Sequence, residues 1–187
     1  MQITKTLYIK TRSEWRNWLT INYKTEKEIW LVFQNKSSGK TGITYEEAVE
    51  EALCFGWIDS IVKKNEKHSR VQRFTPRNPK STYSQLNKER LKRFLRKRKV
   101  IAEVRKAIGN LENEEFIFPK DILSEIKKNK EAWKNYQKFS EAYKRIRIAF
   151  IDDSRIRQDI FRIRLNYFIK MTAQNKQYGL KGIEKYF

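Results

Sequence analysis

The first third of the chain combines two short apolar segments with one helix-like segment. Residues 3–9 alternate loosely between apolar and polar side chains, and residues 29–33 form an apolar run rich in strand-forming residues. Between them, Thr11 and Glu14 have the spacing of a capping box, which predicts the start of a helix. The residues expected on one face of this helix are Trp15, Trp18 and Leu19. The pattern therefore predicts a strand, a helix and a second, buried strand.

A second helix and a pair of strands are predicted next. Thr44 and Glu47 repeat the capping-box spacing, and Gly56 has the position of a helix-stopping glycine. Residues 57–63 and 71–75 have strand-like composition and are separated by a polar turn, as in a hairpin. We expect the elements of this half to share one core. Its central residues should be Trp15, Trp18, Trp30, Leu53 and Phe55.

The remainder of the sequence predicts helices. After two prolines, a helix should begin at Ser81 or Ser84, and apolar residues at helical intervals extend it to Ile108. Beyond Pro119, apolar residues again recur at helical spacing as far as Phe168. The predicted fold class is α+β: a small, mostly antiparallel sheet with packed helices, followed by a helical C-terminal region.

This pattern also predicts the domain organisation. Residues 1–108 should form an α+β domain, residues 109–118 an acidic connector containing a glycine, and residues 119–187 a helical region packed on the first domain.

Composition excludes several classes of protein. An aromatic content of 13% and a hydrophobic content of 39% argue against a disordered or fibrous chain. There is no stretch of 18 apolar residues and no apolar run of signal-peptide length in residues 1–10, so we expect a cytoplasmic protein without a transmembrane segment. One cysteine (Cys54) and one histidine (His68) exclude the usual zinc sites, and we predict no metal and no cofactor.

The net charge of +20 is concentrated in the middle of the chain. Residues 1–60 carry 8 basic and 8 acidic side chains, residues 61–110 carry 17 and 3, and residues 111–187 carry 17 and 11. Such a surplus attracts nucleic acid, acidic lipid headgroups or an acidic protein surface. An anionic partner is therefore expected, although the richness in lysine throughout is also consistent with compositional drift.

The predicted helix after residue 84 contains the densest basic segment. An apolar stripe of Leu91, Phe94, Leu95 and Ile101 accompanies these cations. If the stripe packs on the protein, as we expect, the cations point outward and bind polyanions. If it is exposed, the helix resembles a membrane-surface or partner-binding helix. The candidate polyanion-binding residues are Arg93, Arg96, Lys97, Arg98 and Lys99.

A second candidate site combines residues 52–60 with residues 73–81. Arginine forks beside an aromatic plane suit phosphate or carboxylate recognition. We expect Asp59 to lie within about 4 Å of Arg73 or Arg77, either in a binding site or in a purely structural network. The candidate ligand-binding residues are Trp57, Asp59, Arg73, Arg77, Lys80, Tyr83 and Asn87.

Two other patterns favour structural interpretations. The second predicted helix contains four glutamates: Glu46, Glu47, Glu50 and Glu51. Favourable interaction with the helix dipole on a solvated face explains them more simply than a role as paired catalytic carboxylates does. Cys54, His68 and Asp59 have the residue types of a nucleophile, base and orienting acid, but a cysteine between apolar neighbours is more often a buried structural residue. No catalytic residue is assigned.

The segment from Glu50 to Ser60, followed by Arg73–Arg77, Lys80–Ser81, Tyr83–Ser84 and Asn87, resembles the YdeI/OmpD-associated bacteriocin-protection family. The resemblance extends over about residues 10–95. It implies a bacterial protein linked to tolerance of bacteriocins or antimicrobial peptides, without an established catalytic activity. The family's C-terminal basic signature is represented by Arg155, Arg162 and Ile163.

Three functions from different classes follow. The first, which we favour, is a non-enzymatic stress-tolerance protein that binds an anionic partner through the surface of residues 61–110. The second is a non-specific nucleic-acid-binding protein in which Tyr83 or Trp57 stacks on bases. The third is an enzyme with an Asp/Arg site. The sequence does not specify the oligomeric state.

Overall fold

A computed structural model describes residues 2–34, 41–65 and 69–179 of the chain. Its described part contains a mixed sheet and eight α-helices, so the predicted α+β class with a helical C-terminal region is confirmed. The strands are β1 (Thr6–Tyr8), β2 (Ile29–Gln34), β3 (Trp57–Lys64) and β4 (Ser69–Pro76). The helices are α1 (Arg12–Asn22), α2 (Tyr45–Cys54), α3 (Gln85–Arg96), α4 (Ala102–Ile108), α5 (Lys120–Lys128), α6 (Lys130–Lys138), α7 (Glu141–Asp152) and α8 (Gln158–Ala173).

The chain divides into two compact units. The first unit consists of Met1–Thr82 and Arg90–Leu111, and the second of Tyr83–Glu89 and Glu112–Phe187. Helix α3 contributes its first residues to the second unit and the remainder to the first.

The sheet belongs to the first unit, with strand order β1-β2-β4-β3. The β1–β2 pair is parallel, whereas β2–β4 and β4–β3 are antiparallel. The register of β3 shifts between Asp59 and Val62, which marks a bulge or irregularity. The predicted hairpin therefore forms, but residues 66–68 of its turn, including His68, lie outside the described residues.

Tryptophans connect the helices of the first unit to its sheet. The Trp15 indole N–H donates to the carbonyl of Ala48 at 3.0 Å, and its ring lies edge-on to Phe74 at 5.6 Å. The predicted burial of Trp15, Trp30, Leu53 and Phe55 is confirmed. Trp18 is instead partly exposed, with its ring stacked on Trp15 at 5.2 Å.

The long helix predicted up to Ile108 is interrupted, and this part of the prediction is wrong. Helix α3 ends at Arg96, and Arg98 takes a left-handed backbone conformation with φ of 54°. The N–H of Lys99 then donates to the carbonyl of Phe94 and that of Arg98 to Leu95, which is the bonding of a Schellman motif. Helix α4 begins after this turn.

The second unit has its own core, built from α5 to α8. Side-chain caps begin two of these helices: Asn129 accepts from the Ala132 N–H, and Ser140 accepts from the Tyr143 N–H. The core residues are Ile122, Ile126, Ala132, Tyr136, Phe139, Tyr143, Ile148, Ile151, Leu165 and Phe168. Among the described helices, none combines the length and apolar character that a membrane crossing requires.

Candidate functional site

The segment that carries the sequence motif begins at the end of α2. Gly56 has φ of +73°, which favours glycine, and a Cβ there would lie 3.1 Å from Val104 Cγ2. Its carbonyl accepts the Arg77 N–H at 2.8 Å, so the loop that follows β4 is joined to the loop that precedes β3. This arrangement fixes the start of β3, which carries Trp57 and Asp59.

The Asp59 carboxylate is held by two polar side chains. Its Oδ2 accepts from the Tyr45 hydroxyl at 2.7 Å and from Gln72 Nε2 at 3.2 Å. Burial and the hydrogen bond to Asp59 raise the pKa of Tyr45 above its usual range, so this phenol stays protonated as the donor. Asp59 is thus a structural acceptor between α2, β3 and β4.

The predicted ion pair between Asp59 and Arg73 or Arg77 is wrong. Asp59 lies directly opposite Phe74 in the β3–β4 register, so its side chain shares a face with Phe74 and Gln72. Arg73 points to the opposite face, where its Nε donates to Glu28 Oε2 at 2.6 Å. Hydrogen bonds from Thr4 and then from Arg73 lower the pKa of Glu28.

Within the first unit, Trp57 and Arg77 bond to groups other than Asp59. Trp57 is 1% exposed, and its indole N–H donates to the carbonyl of Tyr23 at 3.1 Å, so its ring belongs to the core and is unavailable for base stacking. The Arg77 guanidinium donates to the carbonyls of Asn78 and Ser81. Lys80 is exposed on this loop. Tyr83 and Asn87 belong to the second unit.

An arginine–glutamate network in the first unit was not predicted. Glu50 and Glu51 on α2 are at most 1% exposed, contrary to the expected solvated face. Arg12 Nε lies 2.5 Å and Arg16 Nη1 2.6 Å from the Glu51 carboxylate. Buried charges require pairing, and arginines from another helix supply it here.

Glu50 forms ion pairs with two arginines, but its hydrogen bonding is less complete than that of Glu51. Arg12 Nη1 lies 2.8 Å from its Oε2, and Arg93 Nη1 lies 3.8 Å from its Oε1, but neither oxygen accepts a well-aligned hydrogen bond. Burial opposes the charge on Arg12, whereas the hydrogen bond that it donates to Glu51 and the negative charges of Glu51 and Glu50 favour it, with the result that the pKa of Arg12 is raised. Arg93 is therefore part of this interior network as well as of α3.

Cys54 lies at the end of α2, beside the same network. Its side chain is fully buried, and burial, followed by the charge of Glu51, raises the pKa of the thiol to about 12. A protonated, inaccessible thiol is a poor nucleophile, which favours the structural interpretation of this cysteine. Within residues 2–34, 41–65 and 69–179, no three His, Cys, Asp or Glu residues are placed to hold a metal ion.

The basic segment at the end of α3 is divided between interior and surface. Leu91 and Phe94 are buried, so the stripe packs on the protein as predicted. Residues 96–99 are exposed, and the side chains of Lys97, Arg98 and Lys99 form no ion pair within the described part of the chain. The carbonyl of Lys99 accepts from Arg16 Nη2 at 2.7 Å, which anchors the main chain beneath these side chains.

The second unit has a polar groove and a partly buried ion pair of its own. Arg145 binds Glu89 through Nε at 2.6 Å and Nη2 at 3.0 Å; these hydrogen bonds raise the pKa of Arg145. An open groove with a volume of about 570 Å³ lies between the start of α6 and the C-terminal half of α8. It is lined by Asn129, Glu131, Asn166, Ile169, Lys170, Ala173 and Gln174.

Comparison with known families divides the chain at nearly the same place as the two units. A family model described as Domain of unknown function (DUF8412) matches residues 7–107, and one described as Bacteriocin-protection, YdeI or OmpD-Associated matches residues 115–175. No curated protein and no solved structure matches the chain. The bacteriocin-protection match thus covers α5 to α8, whereas the resemblance in the sequence extends over about residues 10–95.

The first of these models matches more than half of the chain, and the second confirms the predicted resemblance in a different segment. The chain therefore belongs to the family of that domain of unknown function, and its residues 115–175 match the model described as Bacteriocin-protection, YdeI or OmpD-Associated.

Proposed function

We propose that the chain is a non-enzymatic bacteriocin-tolerance protein whose first unit binds a polyanion through the exposed cations at the end of α3. The family match over residues 115–175 supports the tolerance role. The observation that carries the binding role is the exposure of Lys97, Arg98 and Lys99 without side-chain ion pairs in the described chain. Adjacent cations on an anchored turn can bind several phosphates at once.

The backbone at Arg98 also supports this role. A left-handed conformation favours glycine, and any other side chain there costs free energy of folding. An arginine at this position therefore suggests that its charge is used. Favourable interaction with the C-terminal dipole of α3 is the structural alternative, and it predicts an effect on stability without an effect on binding.

A non-enzymatic role agrees with the contacts of the groups considered for catalysis. Asp59 is held by Tyr45 and Gln72, and the Asp/Arg pair that an enzyme of the third class requires is not formed. Cys54 is buried with a raised pKa. A cytoplasmic location remains part of the proposal.

The experiment replaces Lys97, Arg98 and Lys99 with glutamine and measures binding to single-stranded DNA and to anionic vesicles over a salt series. We expect weaker binding and a loss of roughly 0.7 to 0.9 in the slope of log affinity against log salt for each phosphate contact removed. A matched control, Lys5→Gln/Lys10→Gln/Lys27→Gln, removes the same charge from exposed positions of the same unit and should change binding less.

Equal binding by the triple variant and the control would contradict the proposal. It would favour the interpretation that the basic surplus reflects compositional drift. Much tighter binding to DNA than to vesicles would favour the nucleic-acid alternative. In bacteria that express the chain, survival in the presence of a bacteriocin should fall with the triple variant and not with the control. Unchanged survival of the triple variant would show that tolerance does not depend on this binding surface.

A further inference from the structure

Helix α8 has apolar side chains on two opposite faces. One face carries Leu165 and Phe168 into the core of the second unit. The opposite face carries Ile163, which is 63% exposed, and Tyr167, which is 47% exposed. Ile156, in the turn before the helix, is 98% exposed. Soluble surface helices usually have one apolar stripe, so the second one indicates a contact surface.

The charged side chains around this outward stripe are mainly cationic. Residues 156–170 contain four cations and one anion, Asp159. Arg157, Arg162 and Lys170 are exposed and form no ion pair within the residues that the structure describes. Arg164 is different, because it donates to the carbonyl of Phe150 at 2.6 Å and lies over that ring at 3.7 Å. Three cations are thus available to an anionic partner along the stripe.

We propose that the outward face of α8 lies on an anionic lipid surface. In this arrangement Ile156, Ile163 and Tyr167 enter the boundary between headgroups and acyl chains, and the three cations contact lipid phosphates. An apolar stripe with cationic borders is the pattern of helices that lie in the plane of a membrane interface. The packed stripe of α3 does not meet this criterion, whereas the exposed stripe of α8 does.

Charge complementarity selects this occupant over a second copy of the chain. Pairing two α8 faces would bring two sets of like charges together, which is unfavourable. A bilayer that contains acidic lipids supplies both requirements of the face, an apolar interior and negative phosphates. The inference uses the second unit and does not depend on the polyanion site at the end of α3.

The first test measures partition of the full chain into vesicles of phosphatidylcholine mixed with phosphatidylglycerol, and of phosphatidylcholine alone. We expect binding to the mixed vesicles to fall about tenfold or more in Ile156→Ser/Ile163→Ser/Tyr167→Ser, because the apolar area that enters the interface is lost. The matched control is Ile21→Ser/Ile117→Ser, which removes isoleucines that are 77% and 87% exposed elsewhere. This control should bind as the wild type does.

The second test reports where the chain contacts the bilayer. An environment-sensitive fluorophore attached in the Ile163→Cys variant should shift to shorter wavelength when mixed vesicles are added, and the same label in Ile21→Cys should not. Cys54 should remain unlabelled because it is buried and its pKa is raised to about 12. Circular dichroism of each variant verifies that the fold is retained.

Three results would overturn the inference: no binding of the wild type to mixed vesicles at low salt, equal binding by the serine variants of α8, or binding without a spectral shift at position 163. A dimer that the serine variants abolish would assign the face to a second copy instead. The two proposals remain distinguishable, because Lys97→Gln/Arg98→Gln/Lys99→Gln leaves the α8 face intact.

Discussion

The first unit uses the same residue types in two opposite ways. Inside it, Arg12 and Arg16 are fixed by the buried carboxylate of Glu51. At the end of α3, Lys97 and Arg98 are exposed and have no ion pair in the described chain. The difference shows that net charge does not identify a binding surface. Position relative to buried carboxylates decides which cations stabilise the fold and which can meet a partner.

The largest expected effect comes from removing the carboxylate at the centre of the interior network. Glu51→Ala leaves Arg16 without its carboxylate and Arg12 with Glu50 alone, and we expect the free energy of unfolding to fall by about 3–5 kcal/mol. Urea denaturation followed by tryptophan fluorescence measures the change. The matched control is Glu46→Ala on the same helix, where the side chain is less buried and the expected loss is below about 1 kcal/mol.

Salt sharpens the contrast between the two regions. Because buried pairs are screened less than exposed charges, the stability difference between Glu51→Ala and the wild type should persist in concentrated sodium chloride. Polyanion binding at the end of α3 should be lost under the same conditions. If high salt removed most of the stability difference, the network would be screened in the same way as exposed ion pairs are.

An intermediate effect is expected at Arg16, which connects the two regions. Its guanidinium donates to Glu51 at 2.6 Å and to the carbonyl of Lys99 at 2.7 Å. Lysine cannot reproduce this forked arrangement, so Arg16→Lys should lower the free energy of unfolding by about 1–2 kcal/mol. A loss below 0.5 kcal/mol, which is about the size of an ordinary surface substitution, would show that the double contact is not needed.

The smallest expected effect is a gain of stability at Arg98. Glycine adopts the left-handed conformation without a steric penalty, so Arg98→Gly should raise the free energy of unfolding by about 0.5–1 kcal/mol. The same variant should bind polyanions more weakly. Lys99→Gly is the control, because its backbone is outside the left-handed region and no gain is expected there. Reduced stability of Arg98→Gly would indicate that the arginine side chain itself holds the turn.

Much of the fold could be predicted because its local signals agree with one another. The capping box at Thr44 and Glu47 forms in full, and the apolar run at residues 29–33 is a strand. The break between α3 and α4 could not be predicted, because position 98 carries an arginine and not the glycine that usually marks a left-handed turn. Nor did periodicity show that β1 and β2 are parallel, because pairing direction is not a local property.

The candidate site was harder to predict for a physical reason. Neighbouring strands bring Asp59 and Arg73 close in register, but the alternation of side chains places them on opposite faces. Glu50 and Glu51 were assigned to solvent because a carboxylate on a helix usually lies there. Their burial depends on arginines from other elements, and single-sequence patterns do not show which charges meet.

The end of α2 also has a consequence for the order in which the first unit folds. The carbonyl of Cys54 accepts the Ile101 N–H at 3.1 Å, and Gly56 is bonded to Arg77. These partners are synthesised well after the helix they join, so the last hydrogen bonds of this unit must wait until residue 101 has left the ribosome. Contacts so distant in sequence slow folding. During translation, the hydrogen bond between Cys54 and Ile101 therefore forms only after residue 101 has emerged.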